Sequence, residues 1–233
     1  MSKPLNIVIL TGAGISAESG IQTFRGADGL WEGRRVEQVA TPEGFAANPA
    51  LVQRFYNERR AGLKTVSPNA AHKALARLQE KHKGRFTLVT QNVDDLHERG
   101  GNKNVIHMHG ELTSALCSAC GWRWEHREDI NTDDKCPACQ TEGAPRPDIV
   151  WFGEMPYHMD TIEAALAGCD LFVSIGTSGA VYPAAGFVQM ARMAGKDTLE
   201  LNLEPSAGSR LFAESRLGPA TQLVPEWAES ILR

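Results

Sequence analysis

The stretch Thr11-Gly12-Ala13-Gly14-Ile15-Ser16-Ala17 follows directly on the apolar run Ile7–Leu10 and decides the expected fold. Small residues after a strand let the backbone approach the pyrophosphate of a dinucleotide, and the helix that follows presents N–H groups and a positive dipole end. The same pattern also suits a tight strand-to-helix turn with no ligand. Its place after the first strand favours the dinucleotide. The turn therefore predicts a nucleotide site at the end of that strand.

Short apolar runs alternate with helical stretches along most of the chain. Continuous apolar runs of this length are typical of parallel strands buried on both faces. The predicted strands are Ile7–Leu10, Phe86–Thr90, Ile149–Phe152, Leu171–Ile175, Thr198–Leu203 and Gln222–Val224. The predicted helices are Ala70–Lys83, His158–Ala167, Pro183–Ala194 and Pro225–Leu232. The alternation predicts an α/β fold with a parallel sheet and right-handed crossovers.

A long stretch interrupts this alternation after the glycine-rich turn. An ordinary dinucleotide-binding unit has a second strand and an acidic ribose-binding residue about 20 residues on. Residues 26–31 read Gly-Ala-Asp-Gly-Leu-Trp instead, which predicts a loop. A helix is predicted from Asn48, a good N-cap before Pro49, to about Gly62. We therefore expect a helical insert over about 26–67, and an ordinary hydride-transferring dehydrogenase is disfavoured.

Composition and charge exclude some classes of function. The chain has 233 residues, 42% of them hydrophobic, and a net charge of −4 without a block of like charges, so nucleic acid is not expected as a partner. Residues 1–4 run straight into an apolar strand, with neither a signal-peptide core nor an apolar run of transmembrane length. We expect a cytoplasmic protein that does not bind membranes.

Four of the five cysteines form two Cys-x-x-Cys pairs. Fifteen residues separate Cys117-x2-Cys120 from Cys136-x2-Cys139, in a polar stretch with too few apolar residues to bury its own core. In a cytosolic chain this spacing favours tetrahedral zinc over disulfides, and four thiolates leave no open position for catalysis. A redox pair or thiols without a bound metal are the alternatives. The fifth cysteine, Cys169, is expected to be a buried structural thiol.

Several motifs along the chain resemble those of the sirtuin family. They are Gly12–Ser16, Ser19–Ile21, Thr23–Gly26, Thr90–Asp94, His109-Gly110, Val150–Glu154, Gly176–Ser178 and Asn202–Glu204, in the family's order. The resemblance implies an α/β, Rossmann-like parallel sheet with a small inserted zinc-binding module and a helical insert. We expect residues 1–113 and 148–233 to form the NAD-binding domain, and residues 114–147 to form the zinc-binding module.

The resemblance also implies an activity, the NAD-dependent deacylation of protein lysine. Sirtuins cleave NAD between nicotinamide and ribose, with the acyl oxygen of the modified lysine as nucleophile, and release nicotinamide, free lysine and O-acyl-ADP-ribose. A histidine acts as general base on a ribose hydroxyl, because its unperturbed pKa of about 6.5 lies near working pH. His107 and His109 point the same way by alternation, so periodicity does not choose between them. The resemblance places the base just before a glycine, which selects His109 and leaves His107 structural.

The resemblance further implies which residues bind NAD. Asn92 and Asp94 line the nicotinamide and ribose pocket, Arg25 contacts phosphate or carboxylate, and Phe24 shields the ribosyl carbon from water. A polar loop with a helix cap is the alternative for Gln91–Asp94, and core packing is the alternative for Phe24. The full set expected at the NAD site is Gly12, Ala13, Gly14, Ser16, Glu18, Thr23, Phe24, Arg25, Trp31, Gln91, Asn92, Val93, Asp94, Gly176, Thr177, Ser178, Asn202, Leu203, Glu204 and Ala220.

Tyr56 and Arg59 lie three residues apart, on one face of the helix that starts at Asn48. Tyr-x-x-Arg at this place resembles the pattern of bacterial class III sirtuins, which remove succinyl and malonyl groups. This implies that Arg59 pairs with the distal carboxylate, that Tyr56 donates a hydrogen bond to it, and that Ala40 leaves room for a longer acyl chain. Acetyl-lysine stays a substrate. The other residues expected to bind substrate are Val150, Phe152, Gly153 and Glu154.

Two other functions remain open from the sequence. A mono-ADP-ribosyltransferase would use the same NAD site on another nucleophile, and a non-catalytic module would only bind NAD or ADP-ribose. The presence of His109, Asn92 and Asp94 counts against the non-catalytic module. The expected protein is a monomer that removes acetyl, succinyl and malonyl groups from acylated-lysine proteins or peptides, consumes NAD and holds one structural zinc ion.

Overall fold

A six-stranded parallel sheet carries the fold in the computed structural model, which describes residues 4–22, 30–31 and 33–233. The strands are β1 (Ile7–Thr11), β2 (Leu30–Trp31), β3 (Arg34–Arg35), β4 (Phe86–Thr90), β5 (Ile106–His107), β6 (Gly110–Cys117), β7 (Arg123–Glu125), β8 (Pro145–Ile149), β9 (Leu171–Ile175), β10 (Asp197–Asn202) and β11 (Glu214–Leu217). The helices are α1 (Gly14–Ala17), α2 (Val36–Val39), α3 (Pro42–Ala47), α4 (Pro49–Gly62), α5 (Ala70–Lys81), α6 (Leu96–Arg99), α7 (Met159–Gly168), α8 (Phe187–Met193) and α9 (Ala220–Leu232), with 3₁₀ turns at Leu63–Thr65, Ala184–Gly186 and Ser209–Leu211. None of the helices described is long and apolar enough to cross a membrane.

The main sheet has the strand order β11-β10-β9-β1-β4-β5, and every neighbouring pair is parallel. From β1 the chain adds strands outward on one side, and from β9 it adds them on the other. This is the order of the doubly wound dinucleotide-binding fold. Ile7 lies opposite Phe86 of β4 and Leu171 of β9. The order reverses between β1 and β9, where such sheets open the crevice that binds ligands.

Side chains alternate across β1 and divide the core into two halves. Ile7 and Ile9 belong to the half that packs against α5 and α9. Val8 and Leu10 belong to the other half, which contains residues of α7 and α8. Because helices cover both faces, both sets of alternating side chains must be apolar, and this explains the continuous apolar run of the sequence.

Two glycine turns touch where the sheet order reverses. The Gly14 N–H donates to the Gly176 carbonyl oxygen at 2.8 Å, and the Gly12 N–H donates to that of Ile175 at 3.0 Å. A Cβ on Gly14 would lie 2.7 Å from the Gly176 Cα, and one on Gly12 would lie 2.8 Å from the Gly176 oxygen. Gly176 itself has a φ of +62°, which residues with a side chain rarely adopt. The packing of the two turns therefore requires glycine at these positions.

The helical insert and the small sheet lie together beside this core. β6 pairs with β7 and β8 in an antiparallel sheet, and α4 contacts both β6 and β8. The Asn48 side chain accepts the Leu51 N–H at 3.0 Å, Pro49 takes the first helical position and α4 ends at Gly62, as predicted. A third apolar cluster joins α4 to the segment that follows β8.

Four of the six predicted strands are confirmed within one residue at each end, and two are wrong. Val150–Phe152, predicted as part of a buried parallel strand, follows β8, which is an antiparallel strand of the small sheet. Gln222–Val224, also predicted as a strand, lies inside α9. Val224, Trp227 and Ala228 recur at helical spacing and bury that face of α9 in the core.

Other elements carry weak sequence signals. The edge strand β11 is mostly exposed and polar, so it has no apolar pattern to detect. β5 has two residues, and β6 contains Gly110, Glu111, Thr113 and Ser114 among its apolar residues. The predicted helix Pro183–Ala194 divides into a 3₁₀ turn at Ala184–Gly186 followed by α8.

We expect Gly14→Ala to destabilise the protein by about 1–3 kcal/mol, because an added methyl group would overlap the Gly176 backbone and force two tightly bonded turns apart. Urea unfolding without ligand measures the change. Gly62→Ala is the matched control, since apart from its chain neighbours and the backbone of its own helix no atom of the described residues lies within 4 Å of a Cβ there, and alanine suits a helix. A Gly14→Ala protein with the stability of the parent would show that the turns separate at little cost.

Candidate active site and metal centre

The four paired cysteines converge at one end of the small sheet. Their Sγ atoms all lie within 4.8 Å of one another. The Sγ atoms of Cys117 and Cys139 are 3.7 Å apart, and those of Cys120 and Cys136 are 3.8 Å apart. A disulfide needs about 2.05 Å. Thiolates bound tetrahedrally to zinc at about 2.3 Å lie about 3.8 Å from one another. The cluster therefore fits a four-thiolate zinc site.

Backbone turns hold these thiols in position. The Gly121 N–H donates to the Cys117 carbonyl oxygen, and the Gln140 N–H donates to that of Cys136, both at 2.9 Å. Gly121 has a φ of +75° and Gln140 one of +61°, so a left-handed residue follows each Cys-x-x-Cys pair. Zinc held by Cys117, Cys120, Cys136 and Cys139 would stabilise the polar module, with no open coordination position for catalysis.

The motifs expected to bind NAD meet at one edge of the main sheet. Because its strands are parallel, the segments that follow β1, β4, β9 and β10 all emerge at the carboxyl edge. These segments contain Gly12–Ser16, Gln91–Asp94, Gly176–Ser178 and Leu203–Glu204, and Asn202 is the last residue of β10. Asn202 Nδ2 donates to the Thr177 carbonyl oxygen at 2.8 Å and so ties the last two segments together. In sheets with this strand order, dinucleotides bind in the crevice between the two strands that correspond to β1 and β9.

The glycine-rich turn differs from the expectation in one respect. α1 is a single turn, and the N–H groups of Gly12 and Gly14 are bonded to the backbone at the end of β9. The Ser16 N–H donates to the Ala13 carbonyl oxygen at 3.1 Å. The prediction of free N–H donors at the start of the helix is thus wrong for Gly14, whose N–H is used in the packing of the two turns, and for Ser16, whose N–H is bonded within its own turn. What the turn offers a ligand is close backbone approach.

Ser16 lies at the centre of a buried chain of hydrogen bonds. Asn92 Nδ2 donates to the Ser16 hydroxyl at 3.1 Å, and that hydroxyl donates to Asp94 Oδ2 at 3.1 Å. The Leu96 N–H donates to Asp94 Oδ1 at 3.0 Å. Burial raises the pKa of Asp94, and the hydrogen bonds from Leu96 and Ser16 oppose the rise. The structure thus ties Asn92 and Asp94 to the glycine-rich turn.

Two buried histidines next to these hydrogen bonds were not predicted from the sequence. His72 Nε2 lies 3.4 Å from Ser16 Oγ, His97 Nε2 lies 2.9 Å from Thr11 Oγ1, and the two rings are 4.9 Å apart. Burial lowers the pKa of His72 to about 4. Burial, together with His72, also lowers the pKa of His97 well below its usual value. Both rings are therefore neutral at pH 7. The sequence signal near them is a capping box at the start of α5, which Asn69 and His72 form.

His109 is half-buried at the end of the short turn after β5. Its Nδ1 lies 3.2 Å from the Gln91 carbonyl oxygen, to which Nδ1–H donates. This hydrogen bond fixes the neutral tautomer and leaves Nε2 as the basic nitrogen. Burial lowers the pKa of His109, and the hydrogen bond to Gln91 opposes the shift. A neutral ring near pH 7 is what a proton acceptor needs.

His107 has different surroundings, although it lies two residues away. Its Nε2 is 2.9 Å from Glu98 Oε1, and its Nδ1 is 3.2 Å from the Asn92 carbonyl oxygen. Burial acts to lower the pKa of His107, but the hydrogen bond and charge of Glu98 outweigh it, and the pKa is raised. With a partner at each ring nitrogen, His107 holds the backbone of the Asn92 loop, and its lack of a catalytic role stays a prediction.

The segment after β8 connects His109 to the helical insert. The Val150 N–H donates to the His109 carbonyl oxygen, and the Phe152 N–H donates to that of Ala40, both at 2.9 Å. Gly153 has a φ of +93° and turns the chain after Phe152, whose side chain is exposed. These residues thus run from beside the histidine to beside Ala40.

Glu154 supports this segment from behind. Its Oε1 accepts the Arg146 guanidinium at 2.8 Å, and its Oε2 accepts the Trp151 N–H at 2.9 Å. The Arg146 guanidinium also lies 3.9 Å from the centroid of a Trp151 ring. Both carboxylate oxygens therefore have partners within the protein.

Tyr56 and Arg59 face the apolar cluster between α4 and this segment. Tyr56 is fully buried, and the Trp151 Nε1–H donates to its hydroxyl oxygen at 3.0 Å. Burial raises the pKa of Tyr56, so the hydroxyl keeps its own proton. The Arg59 guanidinium carbon lies 4.1 Å from the centroid of the Trp31 ring and 5.2 Å from that of Phe55. The structure therefore places Trp31, predicted at the NAD site, against the two residues of the predicted acyl pocket.

The remaining residues predicted at the NAD site have varied surroundings. The Glu18 carboxylate accepts the Thr221 N–H at 3.0 Å and the Thr221 hydroxyl at 2.6 Å, at the start of α9 beside Ala220. The Val93 carbonyl oxygen accepts the Leu112 N–H at 2.8 Å. Three predicted residues lie outside the described residues: Thr23, Phe24 and Arg25.

Comparison with known proteins agrees with this geometry. The model of the Sir2 family matches residues 12–183. The chain is 61% identical over 229 residues to an NAD-dependent protein deacylase of Vibrio parahaemolyticus serotype O3:K6, which covers 97% of this chain and 95% of the relative. It is 58% identical over 235 residues to an NAD-dependent protein deacylase of Escherichia coli strain K12, which covers 100% of this chain and 84% of the relative.

Solved structures give the same result. A Sir2 homologue in complex with NAD superposes with a TM-score of 0.89 at 37% identity, over 98% of this chain and 90% of the other. A Sir2 protein bound to an acetylated peptide superposes with a TM-score of 0.83 at 27% identity, over 98% of this chain and 94% of the other. The fold and the site define an α/β protein with a dinucleotide crevice and a four-cysteine metal module. The chain belongs to the Sir2 family.

We expect elemental analysis to find one zinc ion per chain, and Cys136→Ser to lose the metal and lower the melting temperature, because three thiolates hold zinc less firmly and the module lacks a large core. Cys169→Ser is the control: Cys169 is buried elsewhere, and its thiol donates to the Leu166 carbonyl oxygen at 3.2 Å. Purified parent protein without zinc, or a Cys136→Ser protein that retains it fully, would contradict the site.

Proposed function

We propose that this chain is an NAD-dependent protein-lysine deacylase that removes acetyl groups and also succinyl and malonyl groups. The observation that carries the proposal is His109, half-buried, held by Gln91 in one tautomer and placed beside the crevice of a dinucleotide-binding sheet. Two relatives that cover nearly all of this chain are named NAD-dependent protein deacylases. One Sir2 homologue of similar fold is in complex with NAD, and another Sir2 protein is bound to an acetylated peptide.

Bound NAD would supply a ribosyl carbon from which nicotinamide departs as the acyl oxygen of the modified lysine attacks. Asn92 and Asp94 hold the nicotinamide end of the crevice. Both side chains are buried, and Ser16 fixes their orientation by accepting from one and donating to the other. A preorganised polar pocket of this kind loses little energy to reorganisation when charge develops.

His109 takes the proton of a ribose hydroxyl at Nε2. Its Nδ1–H stays on the Gln91 carbonyl oxygen, so the ring keeps its orientation as it becomes charged. The lowered pKa keeps the ring neutral, and therefore able to accept a proton, into mildly acidic solution. The acyl-lysine side chain enters along Val150–Gly153, whose backbone runs between His109 and Ala40.

The distal end of a charged acyl group is proposed to meet Arg59 and Tyr56. The Tyr56 hydroxyl oxygen already accepts from Trp151, so its remaining hydrogen-bonding capacity includes its own O–H, which can donate to a carboxylate. Arg59 presents a guanidinium packed on the faces of Trp31 and Phe55, away from bulk water on that side. A partly desolvated cation beside a neutral phenol is suited to a carboxylate partner.

The proposed partners are proteins or peptides that carry acylated lysine. One solved Sir2 protein is bound to an acetylated peptide and another to a p53 peptide with NAD, which supports this class of partner. We further propose that a monomer carries out the reaction, with residues 114–147 as its zinc-binding module.

We expect His109→Ala to lower the efficiency of deacylation by at least about 100-fold, which is the low end of what a positioned general base contributes. NAD binding should persist. In the parent, kcat/KM should fall on the acid side with a midpoint below pH 6.5, because burial lowers the pKa of the base and activity is lost only when the base is protonated.

His107→Ala is the comparison for this variant. It removes a ring bonded to Glu98 and Asn92 but leaves His109 in place, so most activity should remain. The assignment of the base fails if His109→Ala turns over acyl-lysine near the parent rate, or if the two variants lose activity equally.

We expect Arg59→Met to lower the efficiency of desuccinylation by at least about tenfold, since truncating one member of a desolvated pair costs about 2–5 kcal/mol and about 1.4 kcal/mol is a factor of ten. Removal of acetyl should change little, because acetyl-lysine has no distal charge. The measured quantity is the ratio of kcat/KM values on matched succinyl and acetyl peptides.

Arg54→Met is the matched control, because Arg54 is an exposed arginine on the same helix. It should leave the ratio unchanged, and Tyr56→Phe should shift it in the direction of Arg59→Met by a smaller factor. If Arg59→Met lowers both efficiencies equally, Arg59 supports the fold or the NAD site, and the acyl-range proposal is wrong while the deacylase proposal stands.

A further inference from the structure

α4 presents two neighbouring rows of side chains to different parts of the protein. Successive residues of a helix are rotated by about 100°, so Tyr56 and Arg59 lie on one row and Gln53, Asn57 and Arg60 lie on the next. The first row faces the cluster of Trp31 and Trp151. The second row faces the backbone of the metal module and of the strand that leads into it.

Asn57 makes the most specific contact of the second row. Its Nδ2 donates to the Ile130 carbonyl oxygen at 3.0 Å, and its Oδ1 accepts the Ile130 N–H at 3.0 Å. A side-chain amide here pairs with both backbone groups of one residue, as a neighbouring strand would. Ile130 is itself buried, so the contact fixes the loop of the metal module against α4.

The flanking residues of this row repeat the pattern. Gln53 Nε2 donates to the Pro145 carbonyl oxygen at 2.8 Å, near the end of the module. Arg60 Nε donates to the Leu112 carbonyl oxygen at 2.7 Å, and Arg60 Nη1 donates to Asn57 Oδ1 at 2.7 Å. Gln53 and Arg60 are both buried, and none of these contacts uses a side chain of the module.

We propose that Asn57, flanked by Gln53 and Arg60, is a positioning residue that sets the rotation and depth of α4 and thereby fixes Tyr56 and Arg59 at the distal end of the acyl group. The four-cysteine module then shapes acyl selectivity through its backbone, without touching the substrate. This inference rests on the proposed acyl pocket and extends it to residues outside that pocket.

The rotation of α4 matters because the two rows share one rigid helix. If the bonds to Ile130 are lost, the helix can turn or move outward, and Arg59 moves with it. A distal carboxylate would then meet a misplaced cation, whereas an acetyl group does not reach that far. Loss of the second row should therefore affect the binding of charged acyl groups more than the chemical step.

The test compares Asn57→Ala with Glu58→Ala, which changes the exposed neighbour on α4. For Asn57→Ala we expect KM for a succinyl-lysine peptide to rise about three- to tenfold, an effect of about 0.7–1.4 kcal/mol, with kcat and both acetyl-lysine constants within about twofold of the parent. Zinc content should stay at the parent value. Hydrogen exchange at the Ile130 N–H should accelerate, because its acceptor is gone. Glu58→Ala should change none of these quantities.

Each other outcome overturns the inference in a distinguishable way. Faster exchange at Ile130 with an unchanged ratio of succinyl to acetyl efficiency would show that the contact exists but does not position the pocket. An equal loss on both peptides would make Asn57 a residue of general stability. A parent enzyme that deacetylates but never desuccinylates would overturn the proposed acyl range itself, and this inference with it.

Discussion

The contact between the glycine turns after β1 and β9 is the constraint on which the site depends. The Gly14 N–H and the Gly176 carbonyl oxygen are 2.8 Å apart, and a Cβ on either turn would collide with the other. This contact closes the base of the crevice where the strand order reverses. A side chain at Gly14 or Gly176 would force the turns apart. Ser16, which follows the first turn, would then no longer be held in place to bond Asn92 and Asp94.

Buried hydrogen bonds connect this contact to the residues that are proposed to take part in the reaction. Ser16 sits between Asn92 and Asp94, and the neighbouring Gln91 carbonyl oxygen sets the tautomer of His109. Buried polar groups that are fully bonded to one another hold a single arrangement, because each broken bond would leave an unsatisfied group out of water. The same loop is supported from the other side by His107. The proposed base and the proposed nicotinamide pocket are thus parts of one rigid unit.

The sequence predicts those features whose cause is local. The glycine-rich turn, the two Cys-x-x-Cys pairs and the helix between Asn48 and Gly62 all follow from residues a few positions apart. Partners far apart in the chain have no such signal, so nothing in the sequence pairs Asn57 with Ile130 or places His72 behind Ser16.

The wrong strand at Gln222–Val224 also has a physical explanation. A short apolar run fits a strand or a helix, and its neighbours in space decide which forms. The run at Gln222–Val224 continues into Trp227 and Ala228 at helical spacing and packs on α5.

The Glu18 carboxylate, predicted to contact NAD, accepts hydrogen bonds from Thr221 at the start of that helix, a pairing across 203 positions that no local pattern contains.

The most direct test of the central claim follows the fate of the acyl group. The protein is mixed with NAD and an acetyl-lysine peptide. The deacetylated peptide, nicotinamide and acetylated ADP-ribose are then measured over the same time course. The account predicts that the three products form in equal amounts and that none forms when either substrate is omitted. Peptide deacylation without NAD consumption, nicotinamide release without loss of the acyl group, or the appearance of reduced cofactor would each contradict it.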